Sequence, residues 1–116
     1  MKLYLDDERN IPDNTWELVK TADDAIFCLK SGDVDYVSLD HDLGDDEAGT
    51  GYKVLLWIEN ELHNNPTYIP PKISIHTANS SARDKMELGL ESIKKYTKLK
   101  MNSRKDLTKI IYSSRL

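Results

Sequence analysis

Apolar residues along this chain fall into short blocks that break off in polar clusters. Lys2-Leu3-Tyr4-Leu5 ends abruptly in Asp6-Asp7 and predicts a buried strand. Trp16-Glu17-Leu18-Val19 predicts a second, brief strand, and residues 36–39 a third that ends in Asp40-His41-Asp42. Ile73-Ser74-Ile75 predicts a fourth, ending in His76-Thr77-Ala78-Asn79.

Between these blocks the period changes to that of a helix. Thr21-Ala22-Asp23-Asp24 has the form of a capping box. Behind it Ala22, Ala25, Ile26 and Leu29 recur at helical spacing until Ser31-Gly32. After a Gly- and Asp-rich loop over 43–49, Thr50-Gly51 opens a helix with Tyr52, Leu55, Leu56, Glu59 and Leu62 on one stripe. Asn64-Asn65-Pro66 and Pro70-Pro71 bracket a turn that no helix crosses. Ser80 or Ser81 caps a third helix with Ala82, Met86, Leu90 and Ile93 inward. Residues 96–101 read as a fifth strand or a loop, and 103–112 as a terminal helix with Leu107, Ile110 and Ile111 inward.

Strands alternating with helices predict a three-layer α/β fold with a mainly parallel sheet. Ten residues with Pro12 among them separate the first two strands. A parallel crossover usually spends a dozen or more, so the first crossover helix is expected to be missing or reduced. At 116 residues the chain is read as a single domain, 1–116. No apolar run approaches the ~20 residues that cross a bilayer, and the first residues lack a signal-peptide pattern. Cys28 is the single cysteine, which leaves no internal disulfide framework. The expected place is the cytoplasm, with no membrane partner and no DNA-binding motif.

Charge sharpens the picture only once it is placed. The net charge is −4, yet residues 1–60 carry 15 acids against 5 bases, and the rest carry 5 against 11. The basic excess lies beyond the polar clusters and reads best as a solvated face. The acids do not. Asp6, Asp7, Asp40 and Asp42 fall at strand ends, where open α/β sheets bind ligands. A single Asp caps turns constantly and says little. Several carboxylates gathered at one sheet edge repel unless a cation or proton joins them.

Asp6, Asp7 and Asp40 are therefore the expected ligands of a divalent metal, Mg²⁺ or alternatively Mn²⁺. His41, flanked by two aspartates, and His76 are the candidate proton-transfer groups, with Asp40 beside them and Asp42 orienting His41. Arg9, Thr50, Gly51, Thr77 and Asn79 are the candidate phosphate or substrate contacts.

These residues carry a resemblance. Leu5-Asp6-Asp7-Glu8-Arg9 with Pro12, Ser38-Leu39-Asp40-His41-Asp42-Leu43-Gly44, Thr50-Gly51-Tyr52 and His76-Thr77-Ala78-Asn79 resemble the motifs of cyclic-phosphate processing receiver domains, over about residues 3–90. The resemblance implies a receiver-like (flavodoxin-like) fold. It also implies metal-dependent hydrolysis of a cyclic phosphate on a nucleotide, an RNA end or an NAD-derived metabolite, in a bacterial or phage setting. The partner would be a small cyclic-phosphate nucleotide or an RNA terminus. Two other readings stay open: a signalling receiver phosphorylated on Asp40, and a module that binds a cyclic nucleotide without chemistry. A signalling receiver needs a lysine after strand five, and only Lys98 or Lys100 is available.

Overall fold

Four short strands, each of four residues, make one parallel sheet: β1 (Lys2–Leu5), β2 (Trp16–Val19), β3 (Tyr36–Leu39) and β4 (Lys72–Ile75), in the order β2-β1-β3-β4. The computed structural model describes residues 1–8, 11–42 and 49–114, with side chains through residue 104. The expected α/β receiver-like parallel sheet is therefore present. Among the described residues the crossover from β1 to β2 contains no helix, as the ten-residue spacing requires.

Three helices complete the fold: α1 (Ala22–Lys30), α2 (Gly51–Asn64) and α3 (Ser80–Ser114). Thr21 caps α1, its hydroxyl accepting from the Asp24 amide at 3.0 Å. Side chains alternate along each strand, so Leu3, Leu5, Val37 and Leu39 share one face, and all four are fully buried. Ala25 and Leu29 of α1, Val54, Leu55, Ile58 and Leu62 of α2, and Met86 and Ile93 of α3 join them in one core cluster. Burying each of these larger side chains stabilises the fold by ~1.5–3 kcal/mol.

All three helices thus cover the same face. Among the described elements no helix follows β1 in the first crossover, and α1, α2 and α3 pack on this face of the receiver-like α/β sheet.

Three local expectations are corrected. Residues 96–101 are helical, part of the continuous α3, so no fifth strand forms among the described residues. Nothing interrupts α3 after Gly89: no proline follows Pro71, and the lysines, leucines and methionine there favour helix. Leu56 is 48% exposed, and the buried stripe of α2 is instead Gly51, Val54, Leu55, Ile58 and Leu62. Asn79, rather than Ser80 or Ser81, caps α3: its Oδ1 accepts from the Ala82 amide at 3.1 Å. The inward placement expected of Leu107, Ile110 and Ile111 concerns side chains outside the described set.

Candidate functional site

The sheet face away from the helices carries its residues in rows. Trp16, Lys2, Tyr36 and Lys72 form one row, and Leu18, Tyr4, Ser38 and Ser74 the next. One step further, at the carboxyl ends of β1, β3 and β4, come Asp6, Asp40 and His76. Their places are fixed because Asp40 N–H donates to Leu5 O and His76 N–H to Leu39 O, which extends the ladder by one residue. The parallel register thus turns three separate strand ends into one cluster. Ligand atoms of Asp6, Asp40 and His76 all lie within 4.8 Å of one another.

Asp6 is only 6% exposed. Its Oδ1 accepts from the Glu8 amide at 2.9 Å, and its Oδ2 lies 3.2 Å from Nε2 of His76. The other ring nitrogen, Nδ1, is 2.7 Å from Ser38 Oγ, which in turn accepts from Ser74 Oγ at 3.0 Å. A carboxylate only accepts, so Asp6 at Nε2 favours the tautomer with the ring proton on Nε2, which leaves Nδ1 to accept from the Ser38 hydroxyl. Burial holds the His76 pKa below the ordinary imidazole value, against the opposing pull of Asp40 and Asp6. Tyr4 stacks on the His76 ring, centroids 4.1 Å apart and planes within 9°.

The remaining expected residues divide into three groups. Asp7 is half-buried next to the cluster, outside the group of clustered donor atoms among the described residues. Desolvation, and then a hydrogen bond shared with Asp6, hold its carboxyl above the ordinary range. His41 is anchored beside the site: its amide donates to Asp40 Oδ1 at 2.8 Å, and its Nδ1 lies 2.9 Å from Asp42 Oδ1. Its ring therefore faces Asp42.

Gly51, Thr77 and Asn79 line up with the site but have structural partners of their own. A Cβ at Gly51 would stand 1.9 Å from the Asp40 carbonyl oxygen, so only glycine lets α2 start against the end of β3. Thr77 is buried and accepts from the Asn79 amide at 3.2 Å, while Arg83 donates to its carbonyl at 3.2 Å. Thr50 precedes α2 and makes no side-chain cap there. Arg9 lies outside the described residues.

Tyr4, Ser38 and Ser74 were given no role by the sequence pattern alone. The signal was available: each stands two residues before a cluster member, and alternation puts positions i and i−2 on one face. A serine inside Tyr36-Val37-Ser38-Leu39 has no other reason to interrupt an apolar run.

Residues 1–92 match the family described as the Cyclic-phosphate processing Receiver domain. The chain belongs to that family. No curated protein and no solved structure matches it. Family membership agrees with the receiver-like order of strands and with acids at the ends of β1 and β3. The lysine that a signalling receiver takes from a fifth strand has no such strand here among the described residues. Lys100 instead donates to the carbonyls of Leu62, Asn65 and Tyr68, at the end of α2 remote from Gly51. No described helix is long and apolar enough to cross a membrane.

Proposed function

We propose that this protein is a metal-dependent hydrolase that opens a cyclic phosphate on a nucleotide, an RNA end or an NAD-derived metabolite. The observation that carries the reading is the meeting of Asp6, Asp40 and His76 within 4.8 Å at the carboxyl ends of three adjacent strands. Membership of a cyclic-phosphate processing family supports that substrate class.

The donor set fits a divalent cation, since two carboxylates crowded at one edge need a positive charge between them. Asp6 and Asp40 would hold it, with Asp7 beside them, and Mg²⁺ or Mn²⁺ suits oxygen ligands of this kind. Bound there, the ion would polarise a phosphoryl oxygen as a Lewis acid.

The chain's own groups divide the proton work. In the other neutral tautomer, reached by losing the Nε2 proton to water and gaining one at Nδ1, Nδ1 donates to Ser38 and Nε2 presents a bare lone pair. In that form His76 takes the proton from the attacking water, whose oxygen bonds to phosphorus. One ribose–phosphate P–O bond breaks, and the departing ribose oxygen receives a proton from His41, which Asp42 orients. Each positioned transfer contributes on the order of 10²–10⁴-fold. Arg9, Thr50, the Gly51 amide, the Thr77 hydroxyl and the Asn79 side-chain amide bind the phosphate as negative charge develops.

The test is turnover of 2′,3′-cyclic nucleotides and ADP-ribose 1″,2″-cyclic phosphate with Mg²⁺ or Mn²⁺, followed by phosphorus NMR. A monoester product that vanishes with Asp40→Asn is expected. Intact substrate in every case rules the hydrolase out.

A further inference from the structure

The sheet face that no described helix covers does not end at the acidic cluster. Its two outer rows hold three aromatic rings and two lysines, and no acid: Trp16, Lys2, Tyr36 and Lys72, then Leu18, Tyr4, Ser38 and Ser74. The rings touch in a chain, with Tyr4 buried beneath and Trp16 and Tyr36 partly exposed. Tyr4 and Trp16 meet edge to face at 5.6 Å, Trp16 and Tyr36 at 5.1 Å, and Tyr4 stacks on His76 at 4.1 Å. Lys2 places its ammonium 4.6 Å from the Trp16 ring centroid. Trp16 and Tyr36 remain partly exposed, Tyr36 at the edge where Leu90 and Thr97 of α3 line the same cleft. At the corner of Tyr36 and Lys72 the face runs into a cleft of about 390 Å³, which Pro71, Ile73, Ile93 and Lys94 also line.

From this we infer that the uncovered face is a binding platform for single-stranded RNA, holding the nucleotides upstream of the phosphate that enters the Asp6–Asp40–His76 site. Half-exposed rings alternating with lysines suit an occupant with flat apolar bases and a regular negative backbone. An apolar protein surface would leave Lys72 without an anionic partner, whereas Lys2 already faces Asp13. Register also sets the length. Rows two residues apart are separated by ~6.6 Å, so the outermost row lies ~13 Å from Asp40. That span holds a few nucleotides, stacked ones rising ~3.4 Å each. The cleft, within the ~300–1,000 Å³ of small-ligand sites, takes the base furthest from the phosphate. The placement of the RNA end rests on the hydrolase reading, but the platform itself does not.

The experiment separates the two. Binding of a short oligouridylate with an ordinary 3′-hydroxyl, without added metal, is followed by Trp16 fluorescence in a Trp57→Phe background and by anisotropy of a labelled strand. Saturable, salt-sensitive quenching is expected, tighter for a pentamer than for a mononucleotide. Trp16→Ala or Tyr36→Ala should weaken it by about 5- to 150-fold, the usual range for losing one base stack. Lys72→Glu, which leaves the rings in place, should weaken it too and flatten the salt dependence by about 0.7 in log–log slope for each phosphate no longer neutralised. Both kinds of variant should leave any turnover of a cyclic mononucleotide unchanged.

No saturable binding, equal affinity for pentamer and mononucleotide, or indifference to Trp16→Ala and Lys72→Glu together overturns the proposal. So does a dimer that Trp16→Ala dissociates and that binds no oligonucleotide, since the face would then belong to a second copy of the chain. Absence of hydrolysis with binding intact removes the hydrolase reading and leaves the platform standing.

Discussion

Ser38 Oγ lies 2.7 Å from Nδ1 of His76, reaching from one strand to its neighbour across the sheet. This hydrogen bond holds the Nε2 edge of the imidazole toward Asp6, so Ser38 is a positioning residue for the cluster. Ser38→Ala should cost ~1–3 kcal/mol of stability, because a buried ring nitrogen loses its partner. Turnover should fall by about 10–100-fold, as for other groups that orient a site imidazole. Nitrogen NMR of the ring checks the cause: the variant should show mixed tautomers where the parent shows one.

Carboxylate replacement should separate ion binding from folding. One Mn²⁺ per chain is expected in titration calorimetry, with Asp6→Asn and Asp40→Asn each abolishing it. Ligation to the native state raises stability by ~2.7 kcal/mol at a hundredfold excess over Kd. Saturating Mn²⁺ should therefore raise the Tm of the parent and leave both variants where they were.

Gly51 faces a stiffer constraint. The nearest atom to an added Cβ is the Asp40 carbonyl oxygen, which is backbone and has no rotamer to yield. Gly51→Ala should destabilise by ~1–3 kcal/mol or more, as overpacking against fixed atoms does. Urea unfolding measures it, and Gly89→Ala is the control, since a Cβ there meets only ordinary contacts at 3.9 Å.

Lys100 closes the other end of α2. Its ammonium donates to Leu62 O at 3.1 Å, Asn65 O at 2.8 Å and Tyr68 O at 2.9 Å, satisfying carbonyls that the helix end leaves open. Desolvation, then Arg104, lowers its pKa from the ordinary lysine value. Lys100→Met keeps the stem and removes the donors. A loss of ~1 kcal/mol, or roughly 4 °C in Tm, is expected by calorimetry, with catalysis unaffected.

Tyr68 gives the alkaline limit. Burial, then Glu61, pushes its phenol up to about 12, and its hydroxyl has no hydrogen-bond partner among the described residues. The folded pKa exceeds the unfolded value of about 10, so folding favours the neutral phenol. This contribution is complete below pH ~10 and is lost as pH climbs toward 12. Tyr68→Phe should be neutral or slightly stabilising at pH 7 and should resist alkali better. Tyrosinate absorbance should lose its latest-titrating group.

Much of this was legible in the chain because each strand ends where its apolar run ends. The breaks at Asp6, Asp40 and His76 marked the edge of the sheet, and parallel pairing did the rest. The serines behind His76 were harder to read. Ser38 and Ser74 matter only through their register with each other, and a single strand does not state its register. The stretch after Tyr96 misled for a different reason. Alternating lysines give an apparent period of two, while Lys100 and Arg104, one helical turn apart, both reach carbonyls near the end of α2. Tertiary contact, not local pattern, decides that segment. Leu56 shows the same limit, since helical spacing admits more than one stripe and only packing against α1 and α3 selects one.

The length of α3 carries a hydrodynamic consequence. Thirty-five helical residues extend ~52 Å, while the molecule measures 58 × 29 × 23 Å along its principal axes. Such a particle tumbles about its long axis faster than end over end. Amides along α3 should therefore relax at a different rate from those of the strands, and sedimentation should be slower than for a sphere of 13.3 kDa. A fluorophore near Ser114 would report rotation of the whole rod, while Trp16 reports events on the sheet.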